Sequence, residues 1–115
     1  MDDDQGICSS MAMLLREEGY CVDETVDSGE AARLIKKDTY DVCLFDYKMR
    51  GLNGLDLLKM TKAIHPRCSV FIISGMLNIE ELCSREVQAG LTAGVISKPF
   101  DVDALLKMIA TVCSP

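Results

Sequence analysis

Three polar residues in this chain stand just after short runs of residues that read as strands, at residues 42–45, 70–73 and 95–97. These residues are Asp46, Ser74 and Lys98. If the runs are parallel strands, their carboxyl ends meet at one edge of a sheet, which is where the functional crevices of open α/β sheets lie. The three side chains would then face one crevice. Residues 2–4, all aspartates, would join them if the chain enters its first helix from a neighbouring strand end.

A cluster of this kind indicates phosphoryl chemistry. Several carboxylates at one point repel one another, and a hard divalent cation bound through oxygen relieves the repulsion, with magnesium as the natural candidate. A carboxylate such as Asp46 can attack phosphorus and form an acyl phosphate if a metal ion and a cation such as Lys98 screen the incoming oxygens. Ser74 can donate a hydrogen bond to a phosphoryl oxygen. Each residue alone has an ordinary structural role, so the hypothesis depends on the joint arrangement.

The elements that must position these residues alternate between strand and helix. Apolar runs and alternating patterns predict strands over residues 21–26, 42–45, 70–73 and 95–96, with the run at 42–45 in the centre of the sheet. Helical spacing and capping signals define five helices. In chain order, the first helix ends at Gly19, the second has its N-cap at Ser28, and the third ends at Pro66. The fourth opens with a capping box from Asn78 to Glu81 and closes near Gly90, and Asp101 caps the last. The class is therefore α/β with a parallel sheet.

Composition limits the classes of protein that fit. The chain has 115 residues, 49% of them hydrophobic and 26% charged, which suits one domain, and its net charge of −6 disfavours direct binding to nucleic acid or anionic lipid. No apolar run is long enough to span a bilayer, and three aspartates follow Met1 in place of a basic, apolar signal sequence, so we expect a cytoplasmic protein. The six cysteines show no metal-binding spacing and are expected to be small buried hydrophobes.

Together these features resemble the receiver domains of two-component response regulators, over nearly the whole chain. The segments that carry the resemblance are DDDQGI at 2–7, GY at 19–20, YDVCLFDYKMRGLNGLDLL at 40–58, VFIISG at 70–75 and SKPFDVDALL at 97–106. The resemblance implies one receiver domain over residues 1–115. It further implies a five-stranded, doubly wound (flavodoxin-like) parallel sheet with helices on both faces. The expected function is to take a phosphoryl group from a histidine kinase or phosphotransfer protein and to switch a partner-binding face.

The resemblance also implies roles for single residues. Asp46 corresponds to the phosphoacceptor, and Asp2 and Asp3 correspond to the acidic pair that holds Mg²⁺ together with Asp46 and the backbone carbonyl of Lys48. The spacing to Asp46 favours Asp2 and Asp3 over Asp4 as that pair.

Three further positions correspond to contacts that respond to the phosphoryl group. Ser74 matches the hydroxyl switch residue, and Lys98, before a proline at 99 that is cis in the family, matches the lysine that contacts the phosphoryl group. Val95 stands three residues before Lys98, where the family commonly has an aromatic side chain that swings inward. Valine cannot make that movement, so an output signal would need another route.

Other departures concern the first strand and two loops. Only Met1 precedes Asp2, so the first strand is expected to be truncated or missing. Either residues upstream of Met1 are absent from this sequence, or the fold compensates by altered pairing or by a strand from another chain, as in a homodimer. Arg50 stands where the family usually has proline, and the segment GLTAGV after residue 89 is one residue longer than usual.

Three alternatives stay open from the sequence. One is a receiver-like interaction module that phosphorylation does not switch. A second is a phosphatase that resembles the haloacid dehalogenases, although Lys48 stands where those enzymes need a second aspartate. The third is a flavin-binding protein of the same architecture, although no phosphate-binding loop follows a strand at the N-terminus.

Overall fold

A three-stranded parallel sheet forms the centre of the computed structural model, which describes residues 1–48, 51, 53–76, 79–98 and 100–113. The strands, in their spatial order, are β1 (Val42–Asp46), β2 (Ser69–Ser74) and β3 (Gly94–Ser97). In the register of the sheet, Phe45 lies beside Ile72, and Ile72 lies beside Val95. The predicted runs at 42–45, 70–73 and 95–96 are therefore confirmed as strands.

Helices connect and cover the strands. In the described ranges they are α1 (Gln5–Glu17), α2 (Ser28–Lys37), α3 (Gly54–Ile64), α4 (Ile79–Leu82), α5 (Ser84–Gln88) and α6 (Val102–Cys113). The predicted end of the first helix at Gly19 is confirmed by a φ of +92° there, a conformation that glycine adopts without a steric penalty. Asp101 caps α6 as predicted, because its carboxylate accepts the N–H of Asp103 at 2.9 Å.

The two faces of β2 contact different helices. Val70 and Ile72 are buried in one hydrophobic cluster with residues of α2 and α3, and Phe71 and Ile73 are buried in another with residues of α1 and α6. This alternation follows from the two-residue period of a strand. It confirms the doubly wound α/β architecture with helices on both faces of a parallel sheet.

The predicted strand at residues 21–26 is wrong. That segment pairs with no strand in the described part of the chain, and β1, predicted to be central, lies at the edge of the sheet. Met1 lies on the side of β1 away from β2: its amino group donates to the carbonyl of Leu44 at 2.7 Å, and its carbonyl accepts the N–H of Asp46 at 3.0 Å. Because a strand needs a hydrogen-bonded neighbour, the described sheet has three strands and not the five that the resemblance implied.

Two helix starts also differ from the prediction. Asp27, not Ser28, is the N-cap of α2, because its carboxylate already accepts the N–H of Gly29 at 2.9 Å. The single helix expected up to Gly90 is two short helices separated at Cys83. The capping box proposed for Asn78 lies outside the described residues, as do Arg50 and Pro99.

The cysteines mostly behave as predicted. The buried ones are Cys8, Cys43, Cys68 and Cys83. Cys21 is exposed, contrary to the prediction, because the segment that carries it is not enclosed in a sheet. Among the described residues, no helix is both long and apolar enough to cross a membrane.

Candidate functional site

The carboxyl edge of the sheet brings together the side chains of Asp46, Lys98 and Asp2. The ammonium nitrogen of Lys98 lies 2.7 Å from Oδ2 of Asp2 and 3.2 Å from Oδ2 of Asp46. Both aspartates are buried, and about a fifth of the Lys98 side chain is exposed (22%). One cation thus links two carboxylates that would otherwise repel each other across a short distance.

Asp46 is fixed by its place as the last residue of β1. Its main-chain N–H is bound by the carbonyl of Met1, and its Oδ1 accepts the N–H of Lys48 at 3.3 Å. These contacts hold the carboxyl group at the carboxyl edge of the sheet, with Oδ2 towards Lys98. The structure shows the N–H of Lys48 at Asp46, and the metal-binding role of its carbonyl stays a prediction.

The three consecutive aspartates have different surroundings. Asp2 is buried and accepts the N–H of Asp4 at 3.0 Å, whereas the side chain of Asp4 caps α1 by accepting the N–H of Ile7 at 3.1 Å. One carboxylate oxygen each from Asp2, Asp3 and Asp46 lies within 4.8 Å of the other two. The structure therefore groups Asp2 and Asp3 with Asp46, in an all-oxygen set of the kind that hard divalent cations prefer.

The pKa values of the two buried carboxyl groups are shifted in opposite directions. Desolvation, followed by repulsion from Asp2, raises the pKa of Asp46. Desolvation acts on Asp2 as well, but the hydrogen bonds from Lys98 and Asp4 outweigh it and lower the pKa of Asp2. Desolvation opposes the charge of Lys98, yet its two carboxylate partners raise its pKa. Lys98 therefore stays charged, and a further cation near Asp46 would favour the ionised form of that residue.

Ser74 and Val95, the two other predicted switch residues, make their contacts with the loops after β2 and β3 and with the hydrophobic core. Ser74 is buried at the end of β2, where its Oγ accepts the N–H of Met76 at 3.0 Å and its carbonyl accepts the N–H of Lys98 at 2.8 Å. The hydroxyl is thus bound to the loop that follows β2. Val95 is half-buried on β3 and packs against the hydrophobic cluster on the α2 and α3 face of the sheet.

Gly54 is a site residue whose importance sequence reasoning missed. A Cβ at this position would lie 2.7 Å from the carbonyl oxygen of Asp46 and 3.0 Å from the Cα of Tyr47. The N–H of Gly54 also donates to the carbonyl of Tyr47 at 3.0 Å. The start of α3 therefore packs directly on the main chain of Asp46. The glycine in GLNGLDLL at a helix start is the signal that could have shown it.

The chain matches a family model described as the response regulator receiver domain over residues 1–110. Sporulation initiation phosphotransferase F of Bacillus subtilis is 27% identical over 105 residues, which cover 91% of this chain and 83% of that protein. The DNA-binding transcriptional regulator NtrC of Escherichia coli is 28% identical over 114 residues, or 99% of this chain. Those residues make up only 24% of NtrC, so the chain spans about a quarter of that relative.

Solved structures agree with these sequence relatives. A CheY-like response regulator receiver domain protein from Methanospirillum hungatei superimposes with a TM-score of 0.86 at 28% identity, covering 96% of this chain and 86% of that one. The receiver domain of a Francisella response regulator gives a TM-score of 0.84 at 29% identity, covering 96% and 90%. The likeness therefore covers nearly all of both chains in each pair.

Proposed function

The chain belongs to the response regulator receiver domain family, whose members are phosphoacceptor signalling domains, and on this basis we propose that Asp46 is the residue that accepts the phosphoryl group. We also propose that residues 1–115 act as a single receiver domain. Receiver domains of response regulators interact with histidine kinases or phosphotransfer proteins. One of these would be the donor here.

The observation that supports Asp46 most strongly is the pair of contacts from Lys98 to Asp46 and Asp2. A phosphoryl group brings negative oxygens to the acceptor, and the fixed ammonium group at 3.2 Å from Asp46 is placed to stabilise them without reorganisation. The contact from Lys48 N–H to the other oxygen of Asp46 orients the carboxylate. Gly54, which has no Cβ, leaves room for the main chain of Asp46 at the end of β1.

The proposed step is a displacement at phosphorus. A carboxylate oxygen of Asp46 forms a new bond to phosphorus, and the bond from phosphorus to the donor's imidazole nitrogen breaks, with its electron pair returning to the ring. The carboxyl groups of Asp2, Asp3 and Asp46 and the carbonyl of Lys48 would hold Mg²⁺, which would neutralise charge on the transferred oxygens. Lys98 then pairs with the phosphoryl group in place of the free Asp46 carboxylate.

Ser74 would couple phosphorylation of Asp46 to a movement of the loop after β2. Its hydroxyl oxygen accepts the N–H of Met76, and if the same hydroxyl also donated its proton to a phosphoryl oxygen, it would draw the loop after β2 towards Asp46. The active arrangement is then favoured because the phosphoryl group binds it better than the inactive one. Val95 offers no aromatic ring to follow this movement, so we place the output in the main chain around α4, β3 and α6. The net charge of −6 over the whole chain disfavours nucleic acid as the direct partner of this domain.

Phosphoryl uptake measured by intact mass tests the assignment. The protein is incubated with acetyl phosphate, a small-molecule phosphoryl donor, with and without Mg²⁺. We expect one phosphoryl group on the wild type only with Mg²⁺, none on Asp46→Asn, and normal uptake on Asp41→Asn, a control at an exposed aspartate just before β1. Uptake by Asp46→Asn equal to that of the wild type would contradict the proposal. Absence of uptake by a folded wild type would favour an interaction module that phosphorylation does not switch.

A further inference from the structure

Two cysteine thiols are in contact inside the hydrophobic core. The Sγ atoms of Cys43 and Cys68 lie 3.6 Å apart, although the two residues are 25 positions apart in the chain. Cys43 lies on β1 and Cys68 immediately precedes β2, and both side chains are buried in the hydrophobic cluster on the α2 and α3 face of the sheet. The site proposed for phosphoryl transfer uses neither thiol, so this contact is a separate feature of the fold.

The register of the sheet brings the two thiols together. Val42 lies beside Ser69 and Cys43 lies beside Val70, so Cys68 is diagonally opposite Cys43 across the two strands. Side chains two positions apart along a strand point to the same face, and Val70 belongs to the same cluster as both cysteines. The contact therefore follows from the pairing of β1 with β2.

The main chain of Cys68 is held by a turn and not by β1. Its N–H donates to the carbonyl of His65 at 3.1 Å, and the ammonium group of Lys62 donates to the carbonyls of Cys68 and Pro66, each at 2.8 Å. Pro66 is exposed, whereas Cys43 is an interior residue of β1. Opening of this short turn would expose the Cys68 thiol to a small solute while β1 and β2 stay paired.

The surroundings of the two sulfur atoms make Cys68 the thiol that ionises first. The hydrogen bond with Cys43 and the nearby charge of Lys62 lower the pKa of Cys68, although burial opposes them. The hydrogen bond with Cys68, together with desolvation, raises the pKa of Cys43. Because the thiolate is the reactive form of cysteine, Cys68 is suited to attack an oxidant and Cys43 is placed to react with the product.

We propose that Cys43 and Cys68 form a reversible disulfide when the protein is exposed to a peroxide. The Cys68 thiolate attacks a peroxide oxygen, the O–O bond breaks, and the leaving oxygen takes up a proton, which leaves a sulfenic acid on Cys68. The sulfur of Cys43 then attacks the sulfur of Cys68, the S–O bond breaks, and the released hydroxide takes the Cys43 proton to form water. Two electrons pass from the two sulfur atoms to the peroxide.

The disulfide would join β1 to the start of β2 across α3. The sulfur atoms must approach to about 2.05 Å, a movement of about 1.5 Å that the turn carrying Cys68 can supply. The closed loop would restrict the unfolded chain, so the oxidised protein should resist unfolding. Asp46 lies at the other end of β1 from Cys43, so its contact with Lys98 should stay in place.

Oxidation of the full chain by hydrogen peroxide tests the proposal. Cys21→Ser serves as the background, because Cys21 is exposed and could link two molecules. We expect the intact mass to fall by about 2 Da, for the two hydrogen atoms lost, and dithiothreitol to restore it. The melting temperature should rise by about 10 °C on oxidation, as expected for closing a loop of this length. Both states are measured on the same chain, so the comparison needs no core substitution.

Peptide mapping and two alanine variants assign the sulfur atoms. Trypsin should release peptides 38–48 and 68–85 as one linked species, and fragmentation should separate the sulfur of Cys68 from that of Cys83. Cys43→Ala leaves Cys68 without a partner, so a sulfenic acid should accumulate there and react with dimedone. Cys68→Ala should show no dimedone adduct at Cys43 and the same melting temperature with and without peroxide.

Three results would overturn the proposal. These are an oxidised chain without a link between residues 43 and 68, a link from Cys68 to Cys83, and an equal rise in melting temperature in Cys68→Ala. None of them bears on phosphoryl uptake at Asp46, which is measured separately and should be the same in the oxidised and the reduced protein.

Discussion

The ammonium group of Lys98 lies 3.2 Å from the carboxylate of Asp46 and even closer, at 2.7 Å, to that of Asp2. The cation on the loop after β3 therefore balances a buried carboxylate from the end of β1 and another from the N-terminus. The site depends on this balance, because neither carboxylate has another cationic side-chain partner among the described residues.

Lys98→Gln should destabilise the protein. Without the ammonium group, Asp2 and Asp46 repel each other while buried, and we expect the free energy of unfolding to fall by roughly 1–3 kcal/mol, between the values for exposed and fully buried pairs. Urea denaturation without divalent cations measures this change. Lys59→Gln, at an exposed position on α3, is the matched control and should change stability little. Equal effects of the two substitutions on the free energy of unfolding would show that the contacts of Lys98 with Asp2 and Asp46 do not stabilise the protein.

Mg²⁺ should stabilise the folded chain through the acidic cluster. A ligand that binds only the folded state adds about 1.4 kcal/mol for each tenfold excess over its dissociation constant, so the melting temperature should rise with Mg²⁺ concentration. Asp2→Asn should lose most of this response, since it removes a charged member of the cluster. Asp38→Asn, at an exposed aspartate, should keep it. An unchanged response in Asp2→Asn would place the ion elsewhere.

Gly54→Ala should disturb Asp46 because Gly54 packs directly against the main chain of that residue. The new Cβ would lie 2.7 Å from the carbonyl oxygen of Asp46, so α3 or the end of β1 must shift, at a cost of about 1–3 kcal/mol in the free energy of unfolding. Phosphoryl uptake should slow as well. Gly29→Ala, in the first turn of α2, meets no such contact and should stabilise slightly. Thermal melts of both variants make the comparison, and a Gly54→Ala protein as stable as the wild type would refute the argument.

The bond from Tyr40 to Asp23 predicts a pH dependence of stability. Burial, with the hydrogen bond to Asp23, raises the pKa of Tyr40. Because the folded state holds this proton more tightly, the stabilisation is fully present below the ordinary tyrosine pKa of about 10 and is lost as the pH rises above it. The difference in unfolding free energy between wild type and Tyr40→Phe should therefore shrink from about pH 8 to about pH 11. If this difference in unfolding free energy stays constant over that pH range, the proton on Tyr40 does not contribute to stability.

The sequence predicted the parts of the site that depend on local patterns. Asp46, Ser74 and Lys98 were located by the apolar runs before them, which is a local property, and in the structure Asp46 and Ser74 end β1 and β2 while Lys98 follows β3. The strand at 21–26 could not be judged in this way, because strand formation depends on a neighbour, and on the side of β1 away from β2 the described residues offer strand-like hydrogen bonds from Met1 alone. The role of Gly54 was missed for the same reason: its close approach to Asp46 exists only after β1 and α3 have packed.

The most direct test of the account is to locate the phosphoryl group on the chain. After reaction with acetyl phosphate and Mg²⁺, borohydride reduces an acyl phosphate to the alcohol, and peptide mass spectrometry then identifies the altered residue. We predict homoserine at position 46 and unmodified aspartate at positions 2, 3 and 4. Modification at another position with residue 46 intact would contradict the assignment of Asp46 as the phosphoacceptor.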